Sequence, residues 1–277
     1  MQKLFFESAS TGPLLSPLVK SCWIMRSSCG DRQEVPDLLI PDGFPELIFI
    51  YRGGYRKVAL HDPRKAQEIT ASCLVGVQTE TQLVTRLSPV HIVGLKLDPI
   101  GLYQLLPAYV AQSAHRNVPL DTVESKWLPS MRARLQSCNS ASEVKAALLR
   151  LLPPPPDSEP AGPQLTRQCL RTLLEAKGNL SIKELARRHH RSVRQLQRYF
   201  KQYTGITPKQ FARLIRFKAL YKNSVLRQIQ PRDYFRYGYF DQMHFIKDFK
   251  AHLGVTPSSI ADASFKQKNK IARISQG

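Results

Sequence analysis

Four residues spaced along one face of a helix carry the most specific chemistry in this sequence. Arg194, Gln197, Arg198 and Lys201 stand at i, i+3, i+4 and i+7. Leu196 and Phe200, four apart, with Val193 and Tyr199 beside them, make an apolar stripe that must face a core, which turns the four polar side chains outward. That outward face is long, rich in hydrogen-bond donors and free of acids. A guanidinium donates two parallel hydrogen bonds to guanine O6 and N7 in the major groove, and a Gln amide pairs with adenine N6 and N7. Lys201 is better placed for a phosphate. A solvated basic helix is the plainer alternative. What raises base reading above it is the segment just upstream, a cap-bounded helix over Ile182–Arg188 whose small Ala186 permits a close crossing.

The elements that position these residues have marked starts. Ser181-Ile182-Lys183-Glu184, Ser192-Val193-Arg194-Gln195 and Thr207-Pro208-Lys209-Gln210 all have the form Ser/Thr-x-x-Glu/Gln, which satisfies orphan amides at a helix N-terminus reciprocally. Pro208 suits the first helical position, and Gly178-Asn179 supplies a stop for the helix before.

The unit occurs twice. At an offset of 49, Leu196, Phe200, Lys201, Gly205, Ile206, Thr207 and Pro208 recur as Phe245, Phe249, Lys250, Gly254, Val255, Thr256 and Pro257. Two copies make a tandem, too short for a solenoid. The second outward face is Met243, Ile246, Lys247 and Lys250, with Gln242 at its edge. Met and Ile make no directional hydrogen bonds to bases, which leaves them contact with thymine methyls. The helix ahead of that face carries Asp233-Tyr234 (or Tyr234-Phe235 with one residue deleted) where a small residue would pack best, and Pro231 limits where it can start.

Asn179 to Pro208, with its Ser192…Gln195-Leu196-Gln197-Arg198…Phe200-Lys201…Gly205…Pro208 pattern, and Tyr239 to Pro257 resemble the DNA-binding domain of AraC/XylS-type transcription regulators. The resemblance implies two helix-turn-helix units joined by a long helix, here about 208–226, with recognition helices in successive major grooves on one face of the duplex. Carried over by motif, the base-reading positions fall on Arg194, Gln197 and Arg198, and in the second unit on Gln242, Met243, Ile246 and Lys247. The departures in the second copy imply that the first unit, with its recognition helix over 193–202, carries most discrimination and the second mainly anchors to phosphates.

Charge supports an anionic polymer as partner. Of 41 Lys and Arg against 21 Asp and Glu in 277 residues, 24 basic but only 6 acidic residues lie in 165–277, so +18 of the net +20 sits there. No stretch approaches the roughly 20 apolar residues of a membrane span, and the N-terminus has no secretory apolar region. Five cysteines, at 22, 29, 73, 138 and 169, are too scattered for a disulfide scaffold or a short-spaced zinc site. A reduced cytoplasm, no membrane, no cofactor and no metal are expected; His61, His91 and His115 stand alone.

The chain divides at Pro153-Pro154-Pro155-Pro156-Asp157-Ser158-Glu159-Pro160-Ala161-Gly162-Pro163, where six prolines favour a semi-rigid polyproline spacer of roughly 30 Å, at about 3.1 Å per residue. The expected organisation is α+β in two domains: 1–152 mostly antiparallel β and barrel-like, then helices; a linker over 153–164; an all-α tandem helix-turn-helix over 165–260; and a basic tail over 261–277. Upstream, 46–51 and 55–60 flank Gly53-Gly54, which reads as a hairpin turn. Strands follow at 73–77, 82–87 and 91–97, and helices at 100–106, 123–136 and 141–151. Ile40-Pro41-Asp42-Gly43-Phe44-Pro45-Glu46-Leu47-Ile48-Phe49 and Gly94-Leu95-Lys96-Leu97-Asp98-Pro99-Ile100-Gly101-Leu102-Tyr103 resemble the cupin-like sensory regions of one AraC-type subgroup. That implies a small-molecule effector, a homodimer, or both, and RNA polymerase becomes a partner if the chain acts at promoters.

Two rivals remain. A cysteine-based DNA-alkylation repair factor needs an activated thiol, and none of the five cysteines sits in a recognisable cluster. A sequence-tolerant basic DNA-binding protein shares the steep salt dependence but shows no preference among competitors. The reading the sequence supports is a non-enzymatic, sequence-specific transcription regulator on double-stranded DNA.

Overall fold

The computed structural model describes residues 4–28, 36–60, 62–227, 235, 238, 239, 241–253 and 256. The tail over 261–277, Cys29 and most of the helix expected ahead of the second outward face, including Pro231, Asp233 and Tyr234, lie outside them.

Among the described residues, the N-terminal half is an eight-stranded antiparallel sheet: β1 (Phe5–Ser10), β2 (Val19–Arg26), β3 (Asp37–Leu39), β4 (Glu46–Ala59), β5 (Asp62–Ile69), β6 (Cys73–Val75), β7 (Gln82–Leu97) and β8 (Asn117–Pro119). The order is β1-β2-β7-β4-β6-β8, with β3 on β7 and β5 on β4. Alternation along the strands separates two faces. Cys22, Ile24, Leu47, Phe49, Val93 and Leu95 are fully buried in the main core. Ile48, Ile50 and Ile92 point the other way, with Trp23 and Met25, into the concave side.

Gly53-Gly54 is not a hairpin turn. β4 runs through it and stays paired with β7 from Glu46↔Lys96 to Ala59↔Gln82, with register shifts at Ile50/Arg52 and Arg52/Gly54. The glycines serve close approach instead: a Cβ on Gly53 (φ +68°) would lie 2.2 Å from the Pro89 carbonyl oxygen. The two expected strands at 82–87 and 91–97 are correspondingly one strand, β7.

Asp98 starts α1 (Pro99–Leu105) by accepting from the Ile100 and Gly101 amides. A single-turn helix over Pro107–Tyr109 and α2 (Val110–Ser113) follow. The helix expected from 123 begins only at α3 (Leu128–Gln136), where Pro129 fits the first turn. In α4 (Ala141–Leu151), capped by Ser140, the buried stripe Ala141, Val144, Ala147 and Leu148 joins the main core.

The C-terminal half holds α5 (Ala161–Glu175), α6 (Ile182–Arg188), α7 (Val193–Thr204), α8 (Pro208–Arg227) and α9 (Gln242–Leu253). The proline segment is shorter than the expected spacer and does not hold the halves apart. Pro160 is extended (φ −55°, ψ 151°), and α5 begins at once with Gly162 and Pro163 buried in its first turn. There Arg167 clasps Glu159 (2.9 Å), Asp98 (2.9 Å) and the Pro17 carbonyl (3.1 Å). Val77 and Ile100 of the N-terminal half join the core of the first helical unit, and Leu38, Ile40 and Leu60 pack against that of the second.

Candidate nucleic-acid interface

α6 and α7 form the first unit. Ser181 Oγ accepts from the Glu184 amide (3.1 Å) and Ser192 Oγ from the Gln195 amide (3.2 Å). Only the third expected box closes in both directions: Thr207 Oγ1 accepts from the Gln210 amide (3.2 Å), and Gln210 Oε1 accepts from the Thr207 amide (2.9 Å). In the first two, the acidic or amide side chain turns elsewhere. Glu184 takes Arg187 (2.7 Å) and Arg188 (2.9 Å), which hold its carboxyl down at about 2, and Gln195 donates to Tyr199.

Between the helices the chain turns at His190 (φ 51°), where the Arg191 amide reaches the Ala186 carbonyl (3.0 Å). α7 then lays Leu196 and Phe200, both fully buried, against Cys169, Leu173 and Leu185. Burial of a side chain the size of Phe200 contributes about 2–3 kcal/mol. α7 stops at Gly205, whose φ of +79° suits a residue without a Cβ.

With that stripe fixed, Arg194, Gln197, Arg198 and Lys201 are all exposed on the opposite side, as their spacing requires. Among the described residues no carboxylate pairs with Arg194 or Arg198. The Arg198 guanidinium instead lies 5.3 Å from the centre of the Tyr199 ring. Lys201 reaches back to the Gly205 carbonyl (3.4 Å), and its charge helps hold His115 of the N-terminal half below the usual imidazole range, after burial as the larger cause.

In the second unit, Asp241 Oδ1 accepts from the His244 amide (2.6 Å) at the start of α9. Phe245, Phe249 and Leu253 are buried against Phe217, Leu220 and Tyr239. Gln242, Met243 and Lys247 are exposed, whereas Ile246 is half-buried and packs against that core. The motif therefore brings three of its four second-unit positions to the surface and turns the fourth partly inward.

Sequence reasoning missed the polar tie behind α9. Asp248 is buried, accepts from the Tyr239 hydroxyl (2.9 Å) and pairs with Arg213 of α8. The signal was present, since Asp248 sits beside Phe249 on the buried side of an otherwise basic helix. Also missed was a cavity of about 200 Å3 on the concave face of the sheet, walled by Trp23, Met25, Ile48 and Ile92. Into it come Glu46, Tyr55, Lys57, Lys96 and Asn117. Lys96 pairs with Asp42 (2.6 Å) and lies 3.9 Å from Glu46, whose carboxyl burial pushes up. Burial also pulls the Lys57 ammonium down, and its hydrogen-bond partner is Asn117 Oδ1 (3.0 Å).

Residues 185–263 match the family described as Helix-turn-helix domain, and residues 9–119 match one described as Domain of unknown function (DUF6597). No curated protein matches the chain. Among solved structures, it is similar to ToxT from Vibrio cholerae, at 11% identity over 98% of this chain and 99% of that one, with a TM-score of 0.41. A further ToxT structure, from Vibrio cholerae strain SCE256 and described as unsaturated fatty acid bound, gives 10% identity over 92% and 94% at 0.38. The AraC-like transcriptional activator CuxR gives 14% over 76% and 80% at 0.27. With the capped helix pair, the exposed basic face and the matched domain together, the C-terminal part of this chain is a helix-turn-helix domain.

Proposed function

We propose that the protein is a DNA-binding transcription regulator of the AraC type, that it is sequence-specific, and that its first helix-turn-helix unit does most of the reading. The observation that carries this is the state of Arg194, Gln197 and Arg198: exposed on a helix whose Leu196 and Phe200 are fully buried, with no acid among the described residues holding either guanidinium. Neighbouring Arg187 and Arg188, held by Glu184, are suited to phosphate contact instead. In the second unit, the half-buried Ile246 and the apolar Met243 leave Lys247 and Gln242 as polar groups, a set suited to anchoring. Arg198→Ala and Lys247→Ala, compared on matched and scrambled sites, test the division of labour. Arg198→Ala should lose about 1–3 kcal/mol on the matched site alone, and Lys247→Ala should weaken both sites alike. Greater relaxation of specificity by Lys247→Ala overturns it.

The four described cysteines argue against the repair alternative. Burial pushes Cys22 up to about 11 and Cys169 up to about 12, and also raises Cys73 and Cys138, the reverse of what an acceptor thiolate needs.

The concave cavity supports a second part of this proposal, a small organic effector carrying a negative charge. Lys57 is desolvated, and among the described residues no carboxylate pairs with it. Burying a cation without a counter-ion is costly, and an anionic group beside Lys57 and the Asn117 amide relieves that cost. Calorimetric titration of the full chain with 4-phenylbutyrate and its amide tests it. The carboxylate should bind at least tenfold tighter (about 1.4 kcal/mol), and Lys57→Met should erase the difference. Equal binding of acid and amide by the unaltered protein refutes it.

A further inference from the structure

The N-terminal half touches α7 from behind through an unbroken series of aromatic rings. Tyr103 of α1 meets Tyr203 of α7 edge-to-face, centroids 4.8 Å apart at 77°. Tyr203 is buried, and the first turn of α5 closes over its hydroxyl at Gly162. The Tyr203 ring lies 5.6 Å from that of Tyr199, and the Tyr199 ring carries the Arg198 guanidinium at 5.3 Å. Gln195 donates to the Tyr199 hydroxyl (3.4 Å), which holds the ring from its other end. Three tyrosines thus connect a helix of the other half of the molecule to the exposed arginine.

Geometry gives this series a role. An exposed Arg side chain visits many rotamers and must give up that freedom when it donates two parallel hydrogen bonds to a base. A guanidinium already resting on an aromatic face has lost part of that freedom before DNA arrives. The ring under Arg198 is itself only half-buried, so its place is set by Tyr203, and Tyr203 is set by Tyr103 and α5.

We propose that Tyr103 is a positioning residue for Arg198, acting through Tyr203 and Tyr199, so that docking of the N-terminal half on α7 sharpens base discrimination. The proposal rests on the reading that Arg198 contacts bases. It also makes that docking a route of regulation: whatever parts α1 from α7 frees the rings, and with them Arg198, without touching the DNA-facing surface.

A structural role for Tyr103 is the competing explanation, since it packs against the cores of both halves. The two are separated by coupling to Arg198 in the full chain. Affinity is measured on the site selected by the unaltered protein and on a scrambled site, for Tyr103→Leu, Tyr103→Phe, Arg198→Ala and the double variant Tyr103→Leu/Arg198→Ala. Tyr103→Leu should lose about three- to fivefold on the selected site, the range of an exposed cation–ring contact, and nothing on the scrambled one. Tyr103→Phe, which keeps the ring, should restore the unaltered value. In the Arg198→Ala background, Tyr103→Leu should cost nothing more. Losses that add, or that fall equally on both sites, overturn the relay. Should Tyr103→Leu fold poorly, Tyr199→Leu tests the last link away from the interface, with the same loss expected and the same absence of additivity. Full discrimination by Arg198→Ala overturns the base-reading role and the relay together; additivity overturns the relay alone.

Discussion

Arg167→Leu is the perturbation that isolates the junction between the two halves. Arg167 makes four hydrogen bonds across it: to Glu159 through Nε (3.2 Å) and Nη2 (2.9 Å), and through Nη1 to Asp98 (2.9 Å) and the Pro17 carbonyl (3.1 Å). The side chains of Asp98 and Glu159 are 8% and 16% exposed, so solvent screens the network weakly. Removing one partner of a buried ion pair costs about 3–5 kcal/mol. Here the lower end applies, because neither acid is left bare: Lys20 stays 2.9 Å from Asp98, and Gln104 stays 2.8 Å from Glu159. A loss of about 3 kcal/mol changes a docking equilibrium roughly 150-fold. The assay is native-state proteolysis of the proline segment at 153–160, read beside urea unfolding. Arg167→Leu should speed cleavage there and split unfolding into two steps, and Arg167→Lys, which reaches Asp98 but cannot fork onto Glu159, should fall between. Unchanged cleavage, or a stability within about 0.5 kcal/mol of the unaltered chain, refutes the reasoning, since surface pairs reach only that size.

Three further outcomes are expected. Asp248→Ala strands the buried Tyr239 hydroxyl and frees Arg213, so it should destabilise the second unit by about 2–3 kcal/mol, read by urea unfolding; Asp248→Asn, which can still accept from Tyr239, should cost less. Burial, and then Arg26, hold His91 below its usual 6.5, so the folded chain takes up this proton at lower pH than the unfolded chain. Stability should therefore decline as pH falls below about 6.5, and His91→Gln should flatten that part of the melting temperature–pH curve. Lys201→Ala should reduce the magnitude of the salt slope of DNA binding by about 0.9 if it meets one phosphate, with equal weakening on matched and scrambled sites.

The helical half was more legible than the sheet, for a physical reason. Ser192, Leu196, Phe200 and Gly205 lie within one helix and its caps, and a cap, a stripe and a stop are local devices that spacing alone reveals. Gly53-Gly54 shows the opposite case: the same dipeptide serves a turn or a close approach, and the deciding atom, the Pro89 carbonyl, is 36 residues away in the chain. The proline segment read as a semi-rigid spacer, and composition alone did not show that α5 begins at Ala161 or that Arg167 pairs with Asp98, 69 positions apart. The outward set of α7 followed from its pattern. Ile246 did not, since whether a half-apolar face meets solvent depends on α8 packed beside it.

Selecting binding sites from random duplex DNA with the purified full chain tests most directly whether the exposed arginine face of α7 reads sequence. The pool should converge on one motif whose strongest positions change when Arg194 or Arg198 is replaced by Ala. A second, weaker element should lie about 10 base pairs away, one helical turn. A pool that stays random through successive rounds, or a motif indifferent to both replacements, contradicts it.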